Sequence, residues 1–182
     1  MPSSSPQALL LVDGYNIIGA WSYLKKLCDR QGLESARREL VEALINYTVH
    51  QGFETQIVFD AHYQNTPSSK ENHTPILSVY YTAFAQTADT YIEKVCASFE
   101  GQFSSKYPRL IVATSDRAQQ LTVLGYGAEW MSAQRLVSEV EVAARQVRRK
   151  YRPQKQVRGR FLFNSLDAKV QQRLRQLRQG KP

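Results

Sequence analysis

The run Leu9-Leu10-Leu11-Val12 ends in Asp13-Gly14, and this junction constrains the fold more than any other part of the chain. An unbroken apolar run of this length reads as a strand buried on both faces, and it is far too short to cross a membrane. Strands of that kind belong to parallel sheets covered by helices on both sides. Asp13 then falls at the strand's carboxyl end, the edge where open α/β sheets bind ligands. Gly14 lets the backbone turn away sharply.

The pattern recurs. Gln56-Ile57-Val58-Phe59 ends in Asp60, and Leu110-Ile111-Val112-Ala113 runs through Thr114-Ser115 into Asp116. Asp89 opens the helical segment Asp89-Thr90-Tyr91-Ile92-Glu93-Lys94-Val95. One acid after a strand is commonly a helix cap or a turn ligand. In a parallel sheet, however, these strand ends share an edge that a helix start can also reach. Carboxylates gathered there repel one another, and a hard divalent cation with oxygen ligands would neutralise them. The expectation is a site in which Asp13, Asp60, Asp89 and Asp116 hold Mg²⁺ or Mn²⁺. Asn16, Thr114 and Ser115 would orient waters or phosphate oxygens. Glu93, four residues after Asp89, shares its helix face. Such a site suits phosphodiester cleavage, in which cations activate a water and stabilise the departing oxygen. No histidine base or cysteine nucleophile is then needed. His50, His62 and His73 lack zinc-site spacing with Cys28 and Cys96, and these two distant cysteines read as free thiols.

Taken in order, residues 1–7 read as a disordered Ser/Pro leader and 8–13 as the first strand. Residues 14–19 read as a turn, followed by a short helix or loop to Cys28. Leu33, Ala36, Leu40, Leu44 and Ile45 predict a helix to Gln51, with Glu34 paired to Arg38 and Gly52 as C-cap. Strands follow at 55–60, 76–81, 109–114 and 128–131. Between the first two of these, residues 61–75 read as an exposed polar loop. Helices are expected from Asp89 to Phe103, from Asp116 to Leu124, and from the cap Ser132 to Lys150. Strands alternating with helices give an α/β fold with a mostly parallel sheet. The expected domain spans residues 8–150, with a basic extension at 151–182.

Charge is divided unevenly. Residues 1–144 carry 11 Lys/Arg and 15 Asp/Glu, whereas residues 145–182 carry 13 Lys/Arg and one acid, Asp167. A basic tail on a mildly acidic body points to a polyanion, most often nucleic acid. Its candidate contacts are Arg148, Arg149, Lys150, Arg152, Lys155, Arg158 and Arg160. Nearer the acidic edge, Arg37 and Arg117 are candidates for a phosphate, and Tyr15, Trp21, Tyr23 and Tyr63 for base stacking. With no secretory leader and no membrane span, the expected location is the cytoplasm.

Four segments together resemble the YacP-like branch of the NYN domains, which are PIN-like ribonucleases. They are Val12-Asp13-Gly14-Tyr15-Asn16-Ile17-Ile18, Val58-Phe59-Asp60-Ala61, Thr87-Ala88-Asp89-Thr90-Tyr91-Ile92-Glu93 and Ala113-Thr114-Ser115-Asp116. The resemblance covers about residues 8–145. It implies a PIN-like three-layer fold, a divalent metal and endonucleolytic RNA cleavage, in bacterial members of messenger RNA on the ribosome. By position it makes Asp13, Asp89 and Asp116 the core catalytic acids, supported by Asp60 and Asn16. Gln86 stands where the pattern calls for a further acid. Two other readings compete: a non-catalytic RNA- or ribosome-binding module, and a phosphohydrolase with Asp13 as nucleophile. The second of these lacks its acid at Tyr15.

Overall fold

A computed structural model describes residues 5–60 and 67–150, the Lys150 side chain excepted. In chain order the elements are β1 (Ala8–Asp13), α1 (Gly14–Ala20), α2 (Ser22–Gln31), α3 (Leu33–Gln51), β2 (Phe53–Phe59), β3 (Ser69–Thr74), β4 (Leu77–Tyr81), α4 (Ala88–Gln102), β5 (Leu110–Ala113), α5 (Arg117–Gly125), β6 (Glu129–Met131) and α6 (Ala133–Lys150). The chain divides into two units between Val147 and Arg148, and only the end of α6 is described in the second.

β1 is buried along its whole length between two parallel neighbours, β2 and β5. Its side chains alternate between two cores. Ala8, Leu10 and Val12 join one, with Ile17, Leu24, Leu40, Leu44 and Leu136 from α1, α2, α3 and α6. Leu9 and Leu11 join the other, with Ile92, Val95, Phe99 and Val123 from α4 and α5. Two apolar faces need an apolar residue at every position, which is why the run shows no alternation. Fully burying each such leucine contributes about 1.5–3 kcal/mol. The result is a three-layer α/β fold, helices on both sides of a mostly parallel sheet.

The strand order is β3-β4-β2-β1-β5-β6. From β1 the chain steps outward to β2 and β4, then crosses back to place β5 on the far side of β1. Right-handed connections put the helix of that return crossover on the opposite face. The direction of winding therefore reverses between β1 and β5, and ligand crevices in open α/β sheets open at such a point, outside the carboxyl ends of the strands.

Four expectations are corrected. Residues 14–19 form a helix, because Asp13 caps it and Ile17 and Ile18 are drawn into the core. The polar stretch 61–75 contains β3, which pairs antiparallel with β4 at the sheet's edge. All of β3 is exposed except half-buried Thr74, so nothing in its side-chain pattern marks it as a strand; polar edges of this kind also discourage pairing with other chains. Glu34 pairs with Arg37 rather than Arg38, using the three-residue helical spacing. Gln7 is tied down by its amide, which donates to the Gly52 carbonyl at 2.9 Å. Gly52 itself closes α3 in the left-handed region at φ 67°, as its position predicts. Residues 1–4 of the leader lie outside the described residues.

Cys28 and Cys96 are free, and burial pushes the Cys96 thiol up to about 11, out of reach of nucleophilic chemistry at neutral pH. Among the described residues no helix is long and apolar enough to cross a membrane.

Candidate active site

Strand ends and helix starts deliver the acids. Asp13 is the last residue of β1 and the N-cap of α1, where its Oδ1 accepts the Asn16 amide at 3.2 Å. Gly14 allows that turn to press on β2, since a Cβ there would lie 2.2 Å from the Phe59 ring. Asp60, the next residue after Phe59, is thereby held beside Asp13. Its Oδ1 accepts the Ala88 amide, which ties the end of β2 to the first residue of α4. Asp89 follows on the first turn of α4. Asp116 caps α5, its Oδ1 accepting the amides of Ala118 at 2.7 Å and Gln119 at 3.0 Å.

Asp13 and Asp116 taken alone are thus explained as helix caps, and Asp60 as a tie between β2 and α4. Their mutual electrostatics are what single them out. Asp13 is only 6% exposed, and burial pushes its carboxyl from the usual carboxylate range up to about 7. The Asn16 hydrogen bond opposes this, while the charges of Asp89, Asp60 and Asp116 reinforce it. Burial also raises Asp89, reinforced by Asp116 and Asp60 and opposed by the Gln119 amide. None of the four acids has an ion-pair partner among the described residues. The set consists of hard oxygen donors carrying uncompensated negative charge, which fits Mg²⁺ or Mn²⁺. As the side chains stand, no three His, Cys, Asp or Glu residues among those described form a group that could hold a metal ion. All four carboxylates present Oδ1 to an N–H donor, Asp13 and Asp116 within their own turns, Asp60 and Asp89 across to another element. Charge and donor type suit a cation; ligation by three of these acids requires their carboxylates to converge further than they do here.

Around the acids lie polar side chains that fix their frames. Asn16 reaches across the β1/β5 crevice, its Oδ1 accepting the Ser115 amide at 2.9 Å and the Ser115 hydroxyl. Thr114 is buried, and its Oγ1 accepts the Asp116 amide at 3.0 Å. Arg37 donates to the Tyr15 hydroxyl at 3.4 Å and to Glu34, with its guanidinium 5.8 Å from the Tyr81 ring centre and 5.9 Å from that of Phe59. Its Nε is buried without a hydrogen-bond partner. Arg37 therefore lies beside the residues that flank Asp13 and Asp60.

The remaining candidates are scattered. Arg117 is exposed at the first position of α5, and Glu93 accepts from the Tyr126 hydroxyl at 3.4 Å. Trp21 packs against the first core, while Tyr23 is 54% exposed and bonded to Glu39. Arg148 and Arg149 are exposed at the end of α6, which Lys150 closes. His62, Tyr63, Arg152, Lys155, Arg158 and Arg160 lie outside the described residues. One residue in contact with the acids was missed altogether: Gln119, whose Nε2 donates to Asp89 Oδ1 at 2.5 Å. Its signal was available in the spacing Asp116-x-x-Gln119, but that spacing also marks an ordinary helix start.

The fold and these motifs have counterparts. A family model described as the YacP-like NYN domain matches residues 10–179, and so runs on into the basic extension that the sequence reading placed outside the resemblance. The protein named "Uncharacterized protein YacP" from Bacillus subtilis (strain 168) is 37% identical over 145 residues, covering 79% of this chain and 81% of that one. The crystal structure of Rae1 (YacP) from Bacillus subtilis superposes with a TM-score of 0.66 at 32% identity, over 94% of this chain and 95% of the other. A point mutant of that protein gives 0.64 at 34% identity, over 79% and 80%. On residues matched, identity and fold together, the chain belongs to the YacP-like NYN domain family.

Proposed function

We propose that the protein is a divalent-metal-dependent endoribonuclease, cleaving messenger RNA in a ribosome-linked context. The family is nuclease-like, and RNA is the substrate class to which membership points. The observation that carries the catalytic reading is Asp13, a buried carboxylate at the β1/β5 crevice whose charge is opposed by Asp60, Asp89 and Asp116. Nothing in folding alone favours four such acids at one edge. Bound Mg²⁺ or Mn²⁺ would supply Lewis acidity toward the phosphodiester and its attacking water. The protein's own residues have simpler tasks. Asp13, Asp89 and Asp116, with Asp60, hold the cation. Asn16 and Ser115 keep the two strand ends in register. Arg37 offers a guanidinium to a phosphate beside Asp60, and Arg117 and the basic segment from Arg148 onward draw the polyanion in.

A non-catalytic RNA- or ribosome-binding module is the second reading. It is favoured by Gln86, which stands where a further acid was expected, and by the absence among the described residues of a ready-made group of three ligands. One experiment separates the two. Single-stranded RNA, free and on ribosomes, is incubated with full-length protein with and without Mn²⁺. The nuclease reading expects Mn²⁺-dependent internal cleavage that persists on short RNA when residues 151–182 are deleted. The binding reading expects salt-sensitive binding, lost on that deletion, with every RNA left intact.

A further inference from the structure

Gln119 sits where two of the candidate ligands are joined. It is 6% exposed, in the first turn of α5. Its backbone N–H donates to Asp116 Oδ1 at 3.0 Å, and its Nε2 donates to Asp89 Oδ1 at 2.5 Å. One residue therefore connects the acid that follows β5 with the acid on α4. Its Oε1 is buried without a hydrogen-bond partner.

The local chemistry shows how the side chain became available. An Asp-x-x-Gln start ordinarily closes a capping box, the glutamine reaching back to the N–H of the cap. Here Thr114 Oγ1 takes that N–H at 3.0 Å, which leaves the amide to Asp89. The orientation is fixed by charge, because an amide oxygen turned toward Asp89 would be repelled. A buried acceptor left alone is unfavourable and uncommon in folded proteins. Asp89, Glu93, Gln119 and Thr122 line a recess of about 130 Å³, wide enough for hydration water.

We infer that Gln119 is a positioning residue for the cation site, its Nε2 setting Asp89 against Asp116 and its Oε1 offering an acceptor to a hydrated cation. This rests on the metal-dependent reading above. In this role Gln119 acts through Asp89. An amide suits the role because it presents a donor to the carboxylate and an acceptor elsewhere. Leucine fills similar space with neither, and glutamate sets a second charge against Asp89.

The test is Mn²⁺ binding to the full-length protein without RNA, by titration calorimetry, with melting curves taken with and without Mn²⁺. Gln119→Leu is expected to weaken Mn²⁺ binding about 10–100-fold, the range found when outer-shell partners of metal ligands are removed. Its metal-free melting temperature should stay close to that of the parent. Gln119→Glu should melt lower without metal and recover with Mn²⁺, because the cation offsets the added charge. A parent protein that takes up no Mn²⁺ overturns the metal reading and this inference with it. Parent binding with an unchanged affinity in Gln119→Leu overturns the inference alone. Should the leucine variant not fold, a Gln119→Glu protein whose melting deficit is untouched by Mn²⁺ overturns it instead.

Discussion

Asp13→Asn is expected to reduce metal-dependent RNA cleavage by about 10³-fold or more, while making the metal-free protein more stable at neutral pH. The two effects share a cause. Asp13 is buried, faces three other acids and has its carboxyl raised from 3.8 to about 7. Between those values the folded state keeps a proton that the unfolded state has released. Stability contributed by the protonated acid is complete below about pH 4 and is lost as pH rises through about 7. The loss is on the order of 4 kcal/mol. Asparagine keeps the Oδ1 that accepts from Asn16 but cannot ionise. The variant should therefore melt higher than the parent above pH 7 without metal and lose the pH dependence. Denaturant unfolding from pH 4 to 8, beside a cleavage assay, measures both. A variant that is inactive and also less stable at pH 8 would contradict the electrostatic explanation.

Gly14→Ala is expected to destabilise the fold by about 3 kcal/mol. The added methyl would lie 2.2–2.7 Å from three atoms of the Phe59 ring. That ring has little room to move, being fully buried 4.9 Å from Tyr15 and 5.9 Å from Tyr81, centre to centre. Any shift passes to Asp13 and Asp60, the neighbours of Gly14 and Phe59. Activity should fall further than the lost stability accounts for. Gly19→Ala is the control, because a methyl there meets nothing within 4 Å. Its effect should be neutral or favourable by less than about 1 kcal/mol, alanine being the better helix former. Thermal unfolding of both variants reads the difference.

The parts of the fold legible in the sequence were those with a strong energetic signature. β1 declared itself because a strand with two buried faces cannot carry polar residues, and Asp13, Asp60 and Asp116 declared themselves by breaking such runs. β3 was hidden because its stability comes from backbone pairing to β4, which leaves no mark on Ser69–Thr74. α1 was hidden by Gly14, whose turn-like character reflects the closeness of Phe59 rather than the end of structure. At the site, the acids were legible by type and position. Gln119 was not, because the same spacing serves an ordinary helix cap and only the contact between α4 and α5 gives its amide another partner. Arg37 could be named as a candidate, but its seat against Tyr15, Phe59 and Tyr81 depends on long-range packing.

On the proposed function, acids from β1, β2, α4 and the β5–α5 junction share a cation. Crystals of the full-length protein soaked in Mn²⁺, with anomalous scattering recorded at the manganese edge, test this most directly. The expected result is a peak within ligand distance of Asp13, Asp89 and Asp116, with Asp89 still held by Gln119 Nε2. Full occupancy of Mn²⁺ elsewhere on the molecule, with no peak at these acids, would contradict it.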